Sequence, residues 1–238
     1  AQYADKNRPD GSVEIPAGNY VRYEEGDAAA VPEIYTDYEG MAGDSVLTGE
    51  DSLIEFEVDV PESGLYNLSV VYYPVEGKNS DIERAILIDS VVPYKETRSV
   101  ELARKWRDMY TAKDGSVIYS DSQEFFDKTV GITPDRVFPQ DTLGNEKKPQ
   151  KVLVGEWAFD YIYDSTGYSA TPLKYYFSKG EHDLTFKSLR EPLVVKSITL
   201  KKAEQLPTYE EYLKAQGFPE SYWENLSISR LMKEKRIM

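Results

Sequence analysis

Ile54, Phe56, Val58 and Val60 alternate with Glu55, Glu57 and Asp59, so an extended chain here carries four apolar side chains on one face and three carboxylates on the other. That pattern predicts a half-buried strand. Pro61-Glu62-Ser63-Gly64 follows as turn chemistry, and 65–73 resumes with Tyr66, Leu68, Val70 and Tyr72 on one side; together the two runs predict a hairpin. A second hairpin is predicted from 173–177, the turn Ser178-Lys179-Gly180-Glu181, and 182–189, with His182, Leu184 and Phe186 in one register. Ile198 and Leu200 alternate again, and shorter strands are expected at 13–15, 20–25, 85–89 and 151–154. Short strands broken by Gly, Pro and Asp turns, without a βαβ rhythm, predict an all-β fold, an antiparallel β-sandwich.

Two stretches depart from this rhythm. Ser99 is placed to cap a short helix with Leu102, Trp106 and Met109 at i, i+4 and i+7, although an extended segment fits the same residues. The run 113–149 is rich in Asp, Gly, Pro, Lys and Asn and reads as a long excursion from one end of the sandwich. Near the C-terminus, Thr208-Tyr209-Glu210-Glu211 is a capping box after Pro207, predicting a helix to about Gln216 that Gly217 ends. Pro219 can open a second short helix, and 228–238 is basic, with Arg230, Lys233, Lys235 and Arg236. The expected organisation is a sandwich module over 1–205 with a long insertion around 111–150, then a short helical C-terminal tail over 206–238 that packs or links to a following domain.

With 238 residues, 40% of them hydrophobic, the chain can build a sizeable core. Forty-two acidic against 28 basic residues give a net charge of −14, a field that repels phosphate backbones and anionic headgroups. Neither nucleic acid nor a membrane surface is an expected partner. No apolar run is long enough to cross a bilayer, and the chain opens on Ala1-Gln2-Tyr3 rather than on a leader; a soluble protein cut from something longer is expected. The absence of cysteine excludes disulfides, thiolate metal sites and thiol nucleophiles. Tyrosine is the commonest aromatic, 19 of them against 8 Phe and 3 Trp, and it buries area while keeping a polar tip, as binding surfaces and strands both require.

Catalytic chemistry has little to stand on. The one histidine, His182, sits in register with core-type residues, and no G-x-S-x-G accompanies it, so a structural role is expected. Acid pairs such as Glu24 with Glu25, or Asp160 with Asp164, arise by chance among so many carboxylates. Binding is better supported: Trp106, Tyr110, Trp157, Tyr161, Tyr163 and Tyr168 gather around the excursion. A sugar presents apolar faces ringed by hydroxyls, so its site needs aromatic platforms beside paired hydrogen-bonding groups. The candidates are Trp106, Trp157 and Tyr168 as stacking surfaces, with Glu83, Arg84 and Arg190 as hydrogen-bonding groups. The alternative is that Glu83-Arg84 and Arg190-Glu191 are ion pairs and the tryptophans plug loops onto the core.

The run Leu53-Ile54-Glu55-Phe56-Glu57-Val58-Asp59-Val60-Pro61-Glu62-Ser63-Gly64-Leu65-Tyr66, with the late hairpin Ser178-Lys179-Gly180-Glu181-His182, resembles the strand signatures of family 6 and family 35 carbohydrate-binding modules, galactose-binding-like jelly rolls. Further segments resemble the N-terminal module of large extracellular solute-binding lipoproteins of Gram-positive sugar ABC transporters. They are Val75-Glu76-Gly77-Lys78 with Asp81-Ile82-Glu83-Arg84, Ile88-Asp89 with Val92-Pro93-Tyr94, Trp106-Arg107-Asp108, Leu143-Gly144-Asn145-Glu146, Gly167-Tyr168 and Leu189-Arg190-Glu191-Pro192. The resemblance spans about 13–212. It implies a non-catalytic, cell-surface module of a sugar-uptake protein whose ligand is an oligosaccharide or polysaccharide and whose neighbour is a covalently following solute-binding domain. A structural spacer or protein-interaction module is the alternative. The family's structural calcium sits between an early Glu, here matched by Glu24, and a late Asp, where this chain has Lys196; no cofactor is therefore expected.

Overall fold

A computed structural model of the chain describes residues 6–111, 115–122, 142–145, 148–203, 212 and 214–217. Two compact units are present, 1–203 and 204–238. The first contains β1 (Val13–Pro16), β2 (Arg22–Glu25), β3 (Ala28–Ala29), β4 (Ile34–Thr36), β5 (Asp44–Thr48), β6 (Ser52–Val60), β7 (Gly64–Pro74) and β8 (Ile82–Ile88). It continues through β9 (Val100–Leu102), β10 (Trp106–Thr111), β11 (Val117–Tyr119), β12 (Gln150–Leu153), β13 (Ala158–Tyr161), β14 (Lys174–Phe177), β15 (Gly180–Arg190) and β16 (Leu193–Lys202).

The strands form an antiparallel β-sandwich. One sheet runs β13-β7-β16-β5-β4, with β1 also on β16 and β14 also on β7; the other runs β3-β2-β6-β15-β8-β9. Ile54, Phe56 and Val58 of β6 oppose Phe186, Leu184 and His182 of β15, so the period-2 pattern faces inward as predicted. All of these side chains but His182 meet Tyr66, Leu68, Val70, Tyr72, Ile198 and Leu200 of the first sheet in one core.

Both predicted hairpins are corrected. β6 lies in one sheet and β7 in the other, and β14 and β15 are divided in the same way. The turns reverse the chain but carry it across the core, because alternation fixes which face of a strand is buried and not which strand it pairs with. The turn β15–β16 also crosses between the sheets. Such corners leave backbone groups without ladder partners, which side chains must satisfy.

The helical option at Ser99 gives way to the extended one. A short 3-10 turn, Lys95–Arg98, precedes β9 and β10. β10 is the centre of a small third sheet, β11-β10-β12, at the root of the excursion. In the second unit the Gln216 N–H donates to Tyr212 O (3.0 Å), and Gly217 has φ +79°, the left-handed conformation that ends helices. The expected helix start at 208–211, the second helix at Pro219 and the basic stretch 228–238 lie outside the described residues.

Candidate functional site

Tyr73 on β7 opposes Val194 on β16, which in turn opposes Leu47 on β5. Their strand neighbours Tyr72, Val195 and Val46 belong to the core, so Tyr73, Val194 and Leu47 point to the outer face of the first sheet. Here the rings of Tyr35, Tyr38, Tyr73 and Trp157 gather, all half-buried. Tyr35 and Tyr38 stack at 4.7 Å, while Tyr73 meets Tyr38 edge-on at 5.2 Å and Trp157 at 5.5 Å. The Trp157 indole N–H donates to Tyr38 O (3.1 Å), which fixes the ring. Val194 is fully buried although it faces outward. Burial raises the Tyr73 hydroxyl pKa, reinforced by the carboxylate of Glu39, so these phenols stay neutral and can donate as well as accept.

Along β13 the same face continues through Phe159 and Tyr161, whose rings meet edge-on at 5.4 Å. The Lys201 ammonium lies 4.4 Å from the Phe159 centroid, a cation–π contact that occupies one face of that ring. The intervening Asp160 turns inward, accepting from the Tyr72 hydroxyl (2.5 Å).

Arg84, Glu83 and Arg190 lie at a different place, on and beside the β15–β16 corner. Arg84 is corrected as a ligand-facing group. It is 2% exposed, and its guanidinium donates to Glu83 O (2.9 Å), Arg190 O (2.8 Å), Glu191 O (3.0 Å) and Thr48 Oγ1 (3.2 Å). Desolvation, with the neighbouring positive charge of Arg104, pushes its pKa down to about 9, so it remains charged at neutral pH. Arg190 is more exposed and pairs with Glu83 at 3.0 Å.

Glu191, held at φ +64°, is buried and accepts from the N–H groups of Lys78 (2.9 Å) and Ser80 (2.7 Å), the Ser80 hydroxyl (2.7 Å) and Arg104 (3.1 Å). Burial opposes its charge, but these donors outweigh burial and hold its pKa below the usual value. A Cβ on Gly77 would fall 1.9 Å from Glu191 Oε2, so only glycine lets the loop close on that carboxylate. An open cleft of about 400 Å³ lies over the corner, lined by Glu50, Asp51, Lys78, Leu189 and Arg190 with Glu191. No aromatic ring is among its lining residues.

Trp106 stands on β10 of the third sheet, opposite Leu153, away from the outward row of Tyr73. Tyr168 is 94% exposed on the loop between β13 and β14, where Asp164 accepts from the Thr166 hydroxyl (2.6 Å) and N–H (2.9 Å). The six candidates therefore divide among four places. Tyr35, Tyr38 and Tyr73 were missed; the alternation of Leu47, Val194 and Tyr73 against core positions was their only signal. Glu24 faces Arg22 at 3.3 Å, and the Lys196 ammonium donates to the carbonyls of Ala42 and Asp44.

One arrangement has the outline of a catalytic triad. His182 Nδ1 lies 2.8 Å from Asp89 Oδ2, and Nε2 lies 3.0 Å from Ser178 Oγ. The Ser178 carbonyl also lies 2.9 Å from Nε2 and can only accept, so it competes for the nitrogen that a general base needs free. The Lys179 N–H beside it is spent on Ser63 Oγ at 2.7 Å and is not free for an oxyanion. The arrangement fastens the β14–β15 turn.

No protein-family model matches the sequence, and no curated protein does. Solved structures with a similar fold include a family 35 carbohydrate-binding module from Clostridium thermocellum, at 11% identity over 81% of this chain and 99% of that one, TM-score 0.44. The GH26-CBM35 β-(1,4)-mannanase of Podospora anserina is 13% identical over 85% of this chain, TM-score 0.39, and this chain spans only 30% of it. The Cry4Aa toxin of Bacillus thuringiensis is 9% identical over 82% of this chain and 24% of that one, TM-score 0.42. Likenesses this distant carry no argument about ligand or activity.

Proposed function

We propose that this chain is a non-catalytic carbohydrate-binding module whose sugar lies on the outer face of the first sheet, across Trp157, Tyr73, Tyr38 and Tyr35. The observation that carries this reading is the cluster of half-exposed rings fixed by the Trp157–Tyr38 hydrogen bond. Rings already held in place bind an apolar sugar face without the cost of ordering them, and neutral phenols beside them serve its hydroxyls. The setting proposed for the module is the cell surface of a Gram-positive bacterium, as part of a sugar-uptake solute-binding lipoprotein, without a bound metal.

Titration of the chain against plant and host oligosaccharides, followed by Trp fluorescence, tests this. We expect a saturable, chelator-insensitive change that Trp157→Ala weakens about tenfold, the loss of one stacked aromatic contact. No response from a folded protein overturns the reading in favour of a spacer or interaction module. The internal use of Arg84 and Glu191 favours that second reading for the corner, though not for the aromatic face.

A further inference from the structure

Arg104 is an extreme case among the charged groups. Its side chain is 2% exposed, and one nitrogen, Nη2, donates to Val75 O (3.0 Å) and Glu191 Oε2 (3.1 Å). Its Nε and Nη1 are buried and have no hydrogen-bond partner among the described residues. Orphaned donors on a buried guanidinium are costly, since their water has been removed and nothing replaces it.

The charge count points the same way. Arg84 and Arg104 both bond to Glu191, Arg84 to its carbonyl and Arg104 to its carboxylate. Among the described residues, Glu191 is the one carboxylate in ion-pair distance of either. Its two oxygens already receive four donors, and Arg84 is solvated by neutral oxygens. Two buried cations thus face one buried anion. Burial first, and then the repulsion between the two guanidinium groups, lowers the pKa of Arg84.

We propose that the β15–β16 corner holds a small inorganic anion, chloride in ordinary buffers, on the free Nε–H and Nη1–H of Arg104. A water on these donors would satisfy their hydrogen bonds and leave the excess positive charge in place; an anion does both. The overall charge of −14 opposes this only weakly, since surface charges beyond roughly 8–10 Å are screened at physiological salt and the excess here is buried. Glu191, which pairs with Arg104 Nη2, also lines the open cleft. This inference stands independently of the sugar reading.

The full chain is to be melted in sodium chloride and in sodium gluconate at matched ionic strength, and crystals soaked in sodium bromide. We expect Tm to rise by about 2–4 °C with chloride and saturate, while gluconate leaves it flat. Arg104→Met removes the dependence, and bromide gives an anomalous peak within hydrogen-bond distance of Arg104 Nε and Nη1. Equal Tm in both salts without a bromide peak overturns the proposal, as does a chloride effect with the bromide elsewhere. If Arg104→Met does not fold, the bromide map on the unaltered chain decides alone.

Discussion

The outer face of the first sheet and the β15–β16 corner both gather residues of binding chemistry, yet they use them oppositely. At the corner, five carbonyl or hydroxyl oxygens and a carboxylate take the donors of both terminal nitrogens of Arg84 and of Nη2 of Arg104. On the outer face, the rings of Tyr35, Tyr38, Tyr73 and Trp157 pack on one another and remain partly exposed. The difference follows from topology. A chain crossing between sheets leaves backbone oxygens that no strand can pair, and charged side chains are drawn in to satisfy them. An outward position on an inner strand, such as Tyr73 on β7, has its backbone bonds already made, so its side chain is free for a ligand.

The largest expected effect breaks the corner. Glu191→Ala leaves Arg104 buried without its counter-charge and opens the 78–80 loop, and should cost about 3–5 kcal/mol. Urea unfolding measures it; a loss under about 1 kcal/mol would show that the corner is merely a surface ion pair. Acid probes the same carboxylate more gently. The folded state holds the Glu191 pKa below its ordinary 4.5, so its contribution is complete above that pH and disappears as pH falls through the lower folded value. Melting from pH 7 to pH 3 should therefore show a shallower decline below 4.5 in Glu191→Gln than in the unaltered chain.

The two regions also differed in how far they could be read from sequence. Alternation at Ile54, Phe56 and Val58, and at His182, Leu184 and Phe186, located the core faces correctly because burial is a property of a single strand. It could not say that β6 and β7 part into different sheets, because pairing depends on residues far away, such as the eight β15 positions that oppose β6. Trp157 was named from the sequence as a stacking candidate, with a loop plugged onto the core as the alternative. Its companions Tyr35 and Tyr38 come from a distant, short segment that reaches Tyr73 and Trp157 only once β4, β5, β16 and β7 are side by side. Arg84 misled for a related reason: charge next to a strand reads as surface, and only the crossing at Glu191 creates the buried carbonyls that capture it.

The smallest expected effect sharpens the contrast from the other side. Tyr168 is 94% exposed, whereas Trp157 is half-buried and tied by its N–H to Tyr38. Tyr168→Ala removes little buried area, so its stability should stay within about 0.5 kcal/mol of the unaltered chain. Its effect on sugar affinity is the informative quantity, since folding cannot confound it. If the ligand lies on the rings of the outer face, affinity stays unchanged while Trp157→Ala weakens it. If Tyr168→Ala weakens binding about tenfold, the sugar extends onto the 163–171 loop, and an exposed side chain that the fold does not need is held there for the ligand.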